Sequence, residues 1–84
     1  MKIYTINDSK ASFYMQPFYA RQNGEAIRTF AQAVNDTSNP NNLMARSPAD
    51  YSLYEIGEFD ELTGQITPVN PVSLGNGVDF KEQK

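Results

Sequence analysis

The chain has 84 residues and a formal net charge of −3, and it contains neither cysteine nor histidine. A chain of this length, residues 1–84, forms one domain that buries only about 60% of its unfolded surface, so its core must be small. The missing cysteines exclude disulfides and thiolate metal sites, and the missing histidines remove the usual zinc ligand and the usual acid–base catalyst near neutral pH.

Two further properties of the composition restrict the class of protein. No apolar run approaches the roughly 20 residues of a membrane-spanning helix, and residues 1–10 lack the apolar region of a secretory signal. We therefore predict a soluble intracellular protein without a membrane partner.

The charge is divided unevenly along the chain. Residues 1–46 carry a net charge of +2, whereas residues 47–84 carry −5. Its basic half can face a polyanion, although ordinary solvated surface charge explains the division equally well.

The first half of the chain predicts two extended segments. Residues 2–7 alternate good strand formers on both faces and form the first predicted strand. Residues 11–21 are also extended, but Pro17 restricts them to a sheet edge or breaks them at Gln16. This stretch carries four rings in two adjacent pairs, and each pair is expected to offer one ring to the core and one to the outside: Phe13 with Tyr14, and Phe18 with Tyr19.

The clearest helix signal covers residues 26–35. Asn23 is the expected N-cap, and Glu25 lies in the first turn, where the helix dipole favours negative charge. One face of this helix is expected to pack on a sheet, because apolar residues recur at helical spacing. These residues are Ile27, Phe30, Ala31 and Val34. Residues 36–46 are rich in turn formers and predict a surface loop.

The strongest structural signal comes from residues 47–64, against which the other segments are expected to pack. Residues 51–59 predict a central strand with a bulge at Gly57, because glycine inside a strand usually marks one. Residues 60–64 predict a hairpin loop, with Gly64 in a left-handed conformation, followed by a returning strand over residues 65–69.

The last part of the chain is predicted to be less regular. Pro68 and Pro71 argue against a long strand, and residues 73–77 predict a tight turn. Residues 78–80 then add a short strand or dock by their apolar ends, and residues 81–84 form a frayed tail. The order of elements predicts an α+β fold, with a small, mostly antiparallel sheet and one main helix packed across it.

Catalytic chemistry is limited to carboxylates. Glu55, Glu58, Asp60 and Glu61 lie close together in the sequence, but they lack the spacing of a calcium loop, and acids at a strand end are normally solvated. We therefore predict a non-enzymatic protein without catalytic residues, metal site or cofactor, and a metal-dependent nuclease is the least favoured hypothesis.

The candidate binding site is the aromatic and basic stretch near the amino terminus. Single-stranded nucleic acid is bound by rings that stack on bases and by cations that neutralise phosphates. The predicted nucleic-acid-binding residues are Lys10, Tyr14, Tyr19, Arg21 and Arg28. The alternative is that the rings fill a small core or the seam of a homodimer. A homodimer would also double the number of cations.

Four segments of the sequence resemble a known phage family. They are KIYTINDSKA, PFYARQNGEAIRTFAQAVND, SPADYSLYEIGEFDELTG and LGNG. In this order they are similar to the small non-structural protein of the gokushoviruses, Microviridae phages with circular single-stranded DNA genomes. The resemblance implies a protein of the infected bacterium's cytoplasm. It also implies DNA binding at the change from duplex replication to single-strand genome synthesis and packaging.

Two functions follow as expectations. The first is a homodimeric protein that binds single-stranded DNA in a salt-sensitive manner. The alternative is an interaction protein that docks on the viral replication initiator or the procapsid through the acidic hairpin at residues 58–61, without contact to DNA.

Overall fold

Residues 1–82, which the computed structural model describes, form a five-stranded antiparallel sheet with the main helix on one face. The strands are β1 (Lys2–Asp8), β2 (Phe13–Tyr14), β3 (Phe18–Ala20), β4 (Tyr51–Phe59) and β5 (Ile66–Asn76). The helices are α1 (Asn23–Asn35), α2 (Leu43–Arg46) and α3 (Gly77–Phe80), and a 3₁₀ turn covers Pro48–Asp50. These elements confirm the predicted α+β fold with one main helix packed across a mostly antiparallel sheet.

Strand β1 lies in the middle of the sheet. It pairs with β4 on one side and with both β2 and β3 on the other, and β4 pairs in turn with β5. The extended segment that contains Pro17 is divided into β2 and β3, as predicted. Proline interrupts the strand because it has no backbone N–H to donate to the neighbouring strand.

The core lies between this sheet and α1. The sheet contributes the fully buried residues Tyr4 and Leu53, and α1 contributes the fully buried residues Phe30 and Val34. The predicted N-cap at Asn23 is wrong: the helix begins at Asn23, and the cap residue Gln22 makes no side-chain hydrogen bond. The Asn23 side chain instead accepts a hydrogen bond of 2.7 Å from the Tyr4 hydroxyl, which joins the helix to the sheet.

Glycine occupies two positions where the backbone requires it. The register of β4 against both neighbours shifts beside Gly57, which confirms the predicted bulge. A Cβ atom at Gly57 would lie 2.9 Å from the Thr67 carbonyl oxygen, so no larger residue fits. Gly64 has a φ of 75° in the hairpin loop and confirms the predicted left-handed conformation.

The end of the sheet differs from its prediction. Strand β5 is 11 residues long despite Pro68 and Pro71, because it is an edge strand, where a missing N–H donor is tolerated. Residues 73–76 continue this strand instead of forming a tight turn. Asn76 then caps α3 by accepting a 3.0 Å hydrogen bond from the Val78 amide, so residues 78–80 form a helical turn that docks by Phe80.

The predicted loop at residues 36–46 contains α2 at its end. Asn42 caps this helix by accepting a hydrogen bond of 3.2 Å from the Met44 amide.

Lys81 donates to the carbonyl oxygens of Val34 at 2.9 Å and Ala45 at 3.2 Å. The remainder of the predicted frayed tail, residues 83–84, lies outside the described residues. In the part of the chain that is described, every helix is too short or too polar to cross a membrane.

Candidate nucleic-acid interface

The sheet has a second face that the helices of residues 1–82 leave uncovered. Side chains alternate along β1, so Tyr4 and Ile6 point toward α1 while Ile3, Thr5 and Asn7 point away. Helices α2 and α3 lie on the α1 side as well, because their side chains join the core cluster around Phe30. We call the opposite side the open face.

Four aromatic rings lie on the open face, as cross-strand pairing shows. Tyr14 lies opposite Asn7, Tyr19 opposite Ile3, and Tyr54 opposite Thr5, and paired residues share a face. The fourth ring, Phe59, meets Tyr19 edge to face at 6.1 Å between ring centroids, and Tyr14 meets Tyr54 in the same way at 5.9 Å.

The rings therefore form two pairs, one pair for each half of the open face. The positions opposite Tyr14 and Tyr19 are four residues apart on β1, so the two pairs are separated by about 13 Å along the strand. Tyr14 and Tyr19 are each 53% exposed, whereas Tyr54 and Phe59 are half-buried. About half of each of the two outer tyrosines is therefore accessible to a ligand.

The expected division of each sequence pair into a core ring and an outer ring is confirmed for only one pair. Phe18 stacks on Tyr4 at 5.8 Å on the helix side, while Tyr19 faces outward. Phe13 and Tyr14 also point to opposite faces, but Phe13 remains 51% exposed. Strand β2 has only two residues at the edge of the sheet, where the small core does not reach.

Arg21 is the predicted cation that lies beside the rings. It follows Tyr19 by two residues, and its side chain is 70% exposed. Its Nη1 atom lies 3.9 Å from the Glu61 Oε1 atom in the hairpin loop, next to Phe59. An exposed ion pair of this length contributes about 0–1 kcal/mol, so a phosphate group can compete for the guanidinium.

The other two predicted cations lie elsewhere. Lys10 belongs to the turn after β1 and lines a hollow together with Asp8 and Asp50. Arg28 is on the exposed side of α1, beside a hollow that Glu82 also lines. The structure thus places Tyr14 and Tyr19 about 13 Å apart on one face, with Arg21 at the Tyr19 end. Lys10 and Arg28 instead line hollows formed by other residues.

The carboxylates of the strands all point toward the helix side. Glu55 lies opposite Tyr4 and forms an ion pair of 3.6 Å with Lys2. Glu58 lies opposite Lys2, and Asp8 lies on the same face as Tyr4. The strand positions on the open face therefore bear no charged side chain in the described part of the chain.

The acidic cluster of the sequence stays partly together in the structure, because Glu58, Asp60 and Glu61 line one hollow whereas Glu55 pairs with Lys2. The Asp60 carboxylate accepts the backbone amides of Leu62 and Thr63, and these hydrogen bonds lower the pKa of Asp60. Glu61 faces the amino group of Met1 at 3.8 Å. Within residues 1–82, no group of three acidic side chains is arranged to hold a metal ion.

Sequence reasoning missed Tyr54 and Phe59 as members of this surface. The sequence predicts a central strand for both residues, with apolar side chains on both faces, and does not indicate which face stays uncovered. The signal available was alternation, because Tyr54 is adjacent to Leu53, which the helix buries completely.

A family model described as Phage ORF5 protein matches residues 1–80 of the chain. The matched range contains all four rings of the open face and ends with the last residue of α3. No curated protein and no solved structure matches the chain.

Proposed function

The chain belongs to the phage ORF5 protein family, and we propose that it binds single-stranded DNA, without catalysis, through the rings of its open face. The observation that carries this proposal is the presence of two ring pairs on a sheet face without charged side chains. The sequence resemblance to gokushoviruses suggests the setting, which is single-strand genome synthesis and packaging in the cytoplasm of the infected bacterium.

Stacking supplies most of the proposed binding energy. Aromatic side chains on strands bind single-stranded bases in several protein folds, and each stacked base contributes about 1–3 kcal/mol. Tyr14 and Tyr19 are the accessible rings, and Tyr54 and Phe59 support them from β4, on the other side of β1. Every base has a π-face, so this mode of binding tolerates most sequences.

The net charge of −3 is compatible with this proposal, because the strand carboxylates point to the helix side. A DNA strand on the open face meets Arg21 at its border, and Glu61 is the nearby acid. A homodimer, which remains a prediction, would add a second Arg21. Lys10 and Arg28 are expected to contribute less than Arg21, because they lie away from the rings.

Two adjacent rings provide a matched test. Tyr14 and Phe13 are neighbours on β2 with similar exposure, 53% and 51%, but they lie on opposite faces of the sheet. In fluorescence anisotropy with a labelled single strand at low salt, Tyr14→Ala should weaken binding about 5- to 150-fold, which corresponds to one stacked base. Tyr19→Ala should behave similarly, whereas Phe13→Ala should retain affinity within about twofold. No binding by the parent protein, or equal losses for Phe13→Ala and Tyr14→Ala, would refute the proposal.

A second candidate function is docking on a protein through the hairpin loop, and the exposure of Leu62 favours it. Leu62 is 97% exposed on a turn that Asp60 orders through the Leu62 and Thr63 amides. Glu58 and Glu61 flank this apolar tip. Such a tip suits an apolar pocket with a basic rim, on the viral replication initiator or the procapsid.

A pull-down from infected cells separates the two functions. A protein partner should remain bound after nuclease treatment and should be lost with Leu62→Ser, because this change removes the apolar tip without altering the rings. A partner tethered by DNA should be released by nuclease and lost with Tyr14→Ala instead.

A further inference from the structure

A shallow hollow of about 280 Å³ lies in the middle of the open face. Its walls are almost entirely apolar, and they are formed by Thr5, Tyr14, Met15, Pro17, Ile56 and Pro71. Thr5 lies between the positions opposite Tyr14 and Tyr19, so the hollow lies between the two ring pairs. By liquid volume it has room for roughly nine water molecules, so the edge of a base enters it without filling it.

We infer that this hollow takes the methyl edge of a thymine base and gives the protein a preference for thymine-containing strands. This inference rests on the proposed function. It goes beyond that function because stacking alone does not distinguish thymine from the other bases.

The chemistry of the walls favours a methyl group over a polar edge. The Thr5 hydroxyl donates to the Met15 carbonyl oxygen at 2.7 Å, so its proton is already used, and Tyr14 carries the second hydroxyl among the lining residues. A base edge with donors or acceptors finds few partners here for the hydrogen bonds that it loses to water, which is costly. Among the DNA bases, thymine presents a C5-methyl group on the edge away from its Watson–Crick atoms.

The charges around the hollow are compatible with a nucleic acid as the occupant. The strand positions of the open face bear no charge within residues 1–82, so no carboxylate there repels a phosphate backbone. Arg21 at the border can hold a phosphate while a base stacks on a tyrosine and its neighbour enters the hollow.

The test compares strands that differ only in the methyl group. Oligothymidylate and oligodeoxyuridylate of equal length have the same backbone and the same hydrogen-bonding atoms. Burial of one methyl group should make the thymine strand bind about fourfold more tightly. Oligomers of 5-methylcytosine and cytosine should show a similar ratio, because the same position carries the methyl group.

Two variants connect the ratio to the hollow. Ile56→Thr places a hydroxyl in its wall and should reduce the thymine-to-uracil ratio to about one. Val72→Thr is the matched control, because Val72 is 51% exposed on the opposite face, across from Glu55, and it should keep the ratio.

Three results would contradict the inference. Equal binding of thymine and uracil strands by the parent protein would overturn the methyl site while leaving DNA binding intact. Loss of binding to both strands would overturn the proposed function itself. Finally, the protein could sediment as a dimer. If Ile56→Thr dissociates this dimer and DNA does not, the hollow is a contact between protein chains.

Discussion

The salt dependence of DNA binding follows from the number of cations that reach the open face. For single strands, the logarithm of affinity falls with the logarithm of salt concentration with a slope of about −0.7 for each neutralised phosphate. Arg21 is the cation that the structure places beside the rings. One such contact predicts a slope of about −0.7, so that affinity falls only roughly threefold between about 50 and 200 mM salt.

The sequence alone predicts a steeper dependence. If Lys10 and Arg28 also held phosphates, three contacts would give a slope of about −2 and a loss of roughly twentyfold over the same range. The structure separates these two cations from the rings, since each lines a different hollow. The measured slope therefore distinguishes a strand on the open face from a strand that extends around to α1.

Fluorescence anisotropy at several salt concentrations measures this slope directly. Arg21→Ala should bring it close to zero, because it removes the one phosphate contact beside the rings. Arg28→Ala changes the net charge by the same amount and should leave the slope unchanged. A slope of about −2 or steeper, or a change caused by Arg28→Ala and not by Arg21→Ala, would refute this reasoning.

Three further predictions follow from the structure. Leu53→Ala should destabilise the protein by about 2–5 kcal/mol and lower its Tm by roughly 10–30 °C in thermal circular dichroism, because Leu53 is fully buried; a fall of only about 2 °C would contradict this. Glu61→Gln should strengthen DNA binding roughly two- to fivefold in the anisotropy assay, because it releases Arg21 from its ion pair, and unchanged affinity would contradict competition between Glu61 and a phosphate for Arg21. Hydrogen bonding to the Leu62 amide lowers the pKa of Asp60 below its ordinary 3.8, so the turn is stabilised above that pH and opens as pH falls through the lowered pKa; an unchanged Leu62 amide resonance on acidification would contradict this.

Local patterns in the sequence were sufficient to predict the fold class. Strand-forming residues on both faces predict β1 and β4, and helical spacing predicts the stripe of α1 around Phe30 and Val34, because burial on one helix face selects that period. The length of β5 was underestimated, since Pro68 breaks a central strand but is tolerated at an edge. A single sequence does not reveal which strand forms the edge, because this depends on pairing between distant segments.

The candidate site could be predicted only in part for a similar reason. Tyr14 and Tyr19 are close in the sequence and both lie on strands that pair with β1, and Arg21 follows the second of these strands directly. Arg28 is also close in the sequence, but it lies on a helix that packs against the other face of the sheet. The side on which α1 crosses the sheet is a property of the tertiary fold, and spacing alone does not determine it.

Chemical-shift mapping by NMR tests the central claim most directly. Addition of unlabelled oligothymidylate to the labelled protein should shift the ring resonances of Tyr14, Tyr19, Tyr54 and Phe59, and it should leave Phe13 and the exposed side of α1 unchanged. Shifts confined to the surface around Arg28, or none at DNA concentrations that saturate the anisotropy signal, would contradict binding at the open face.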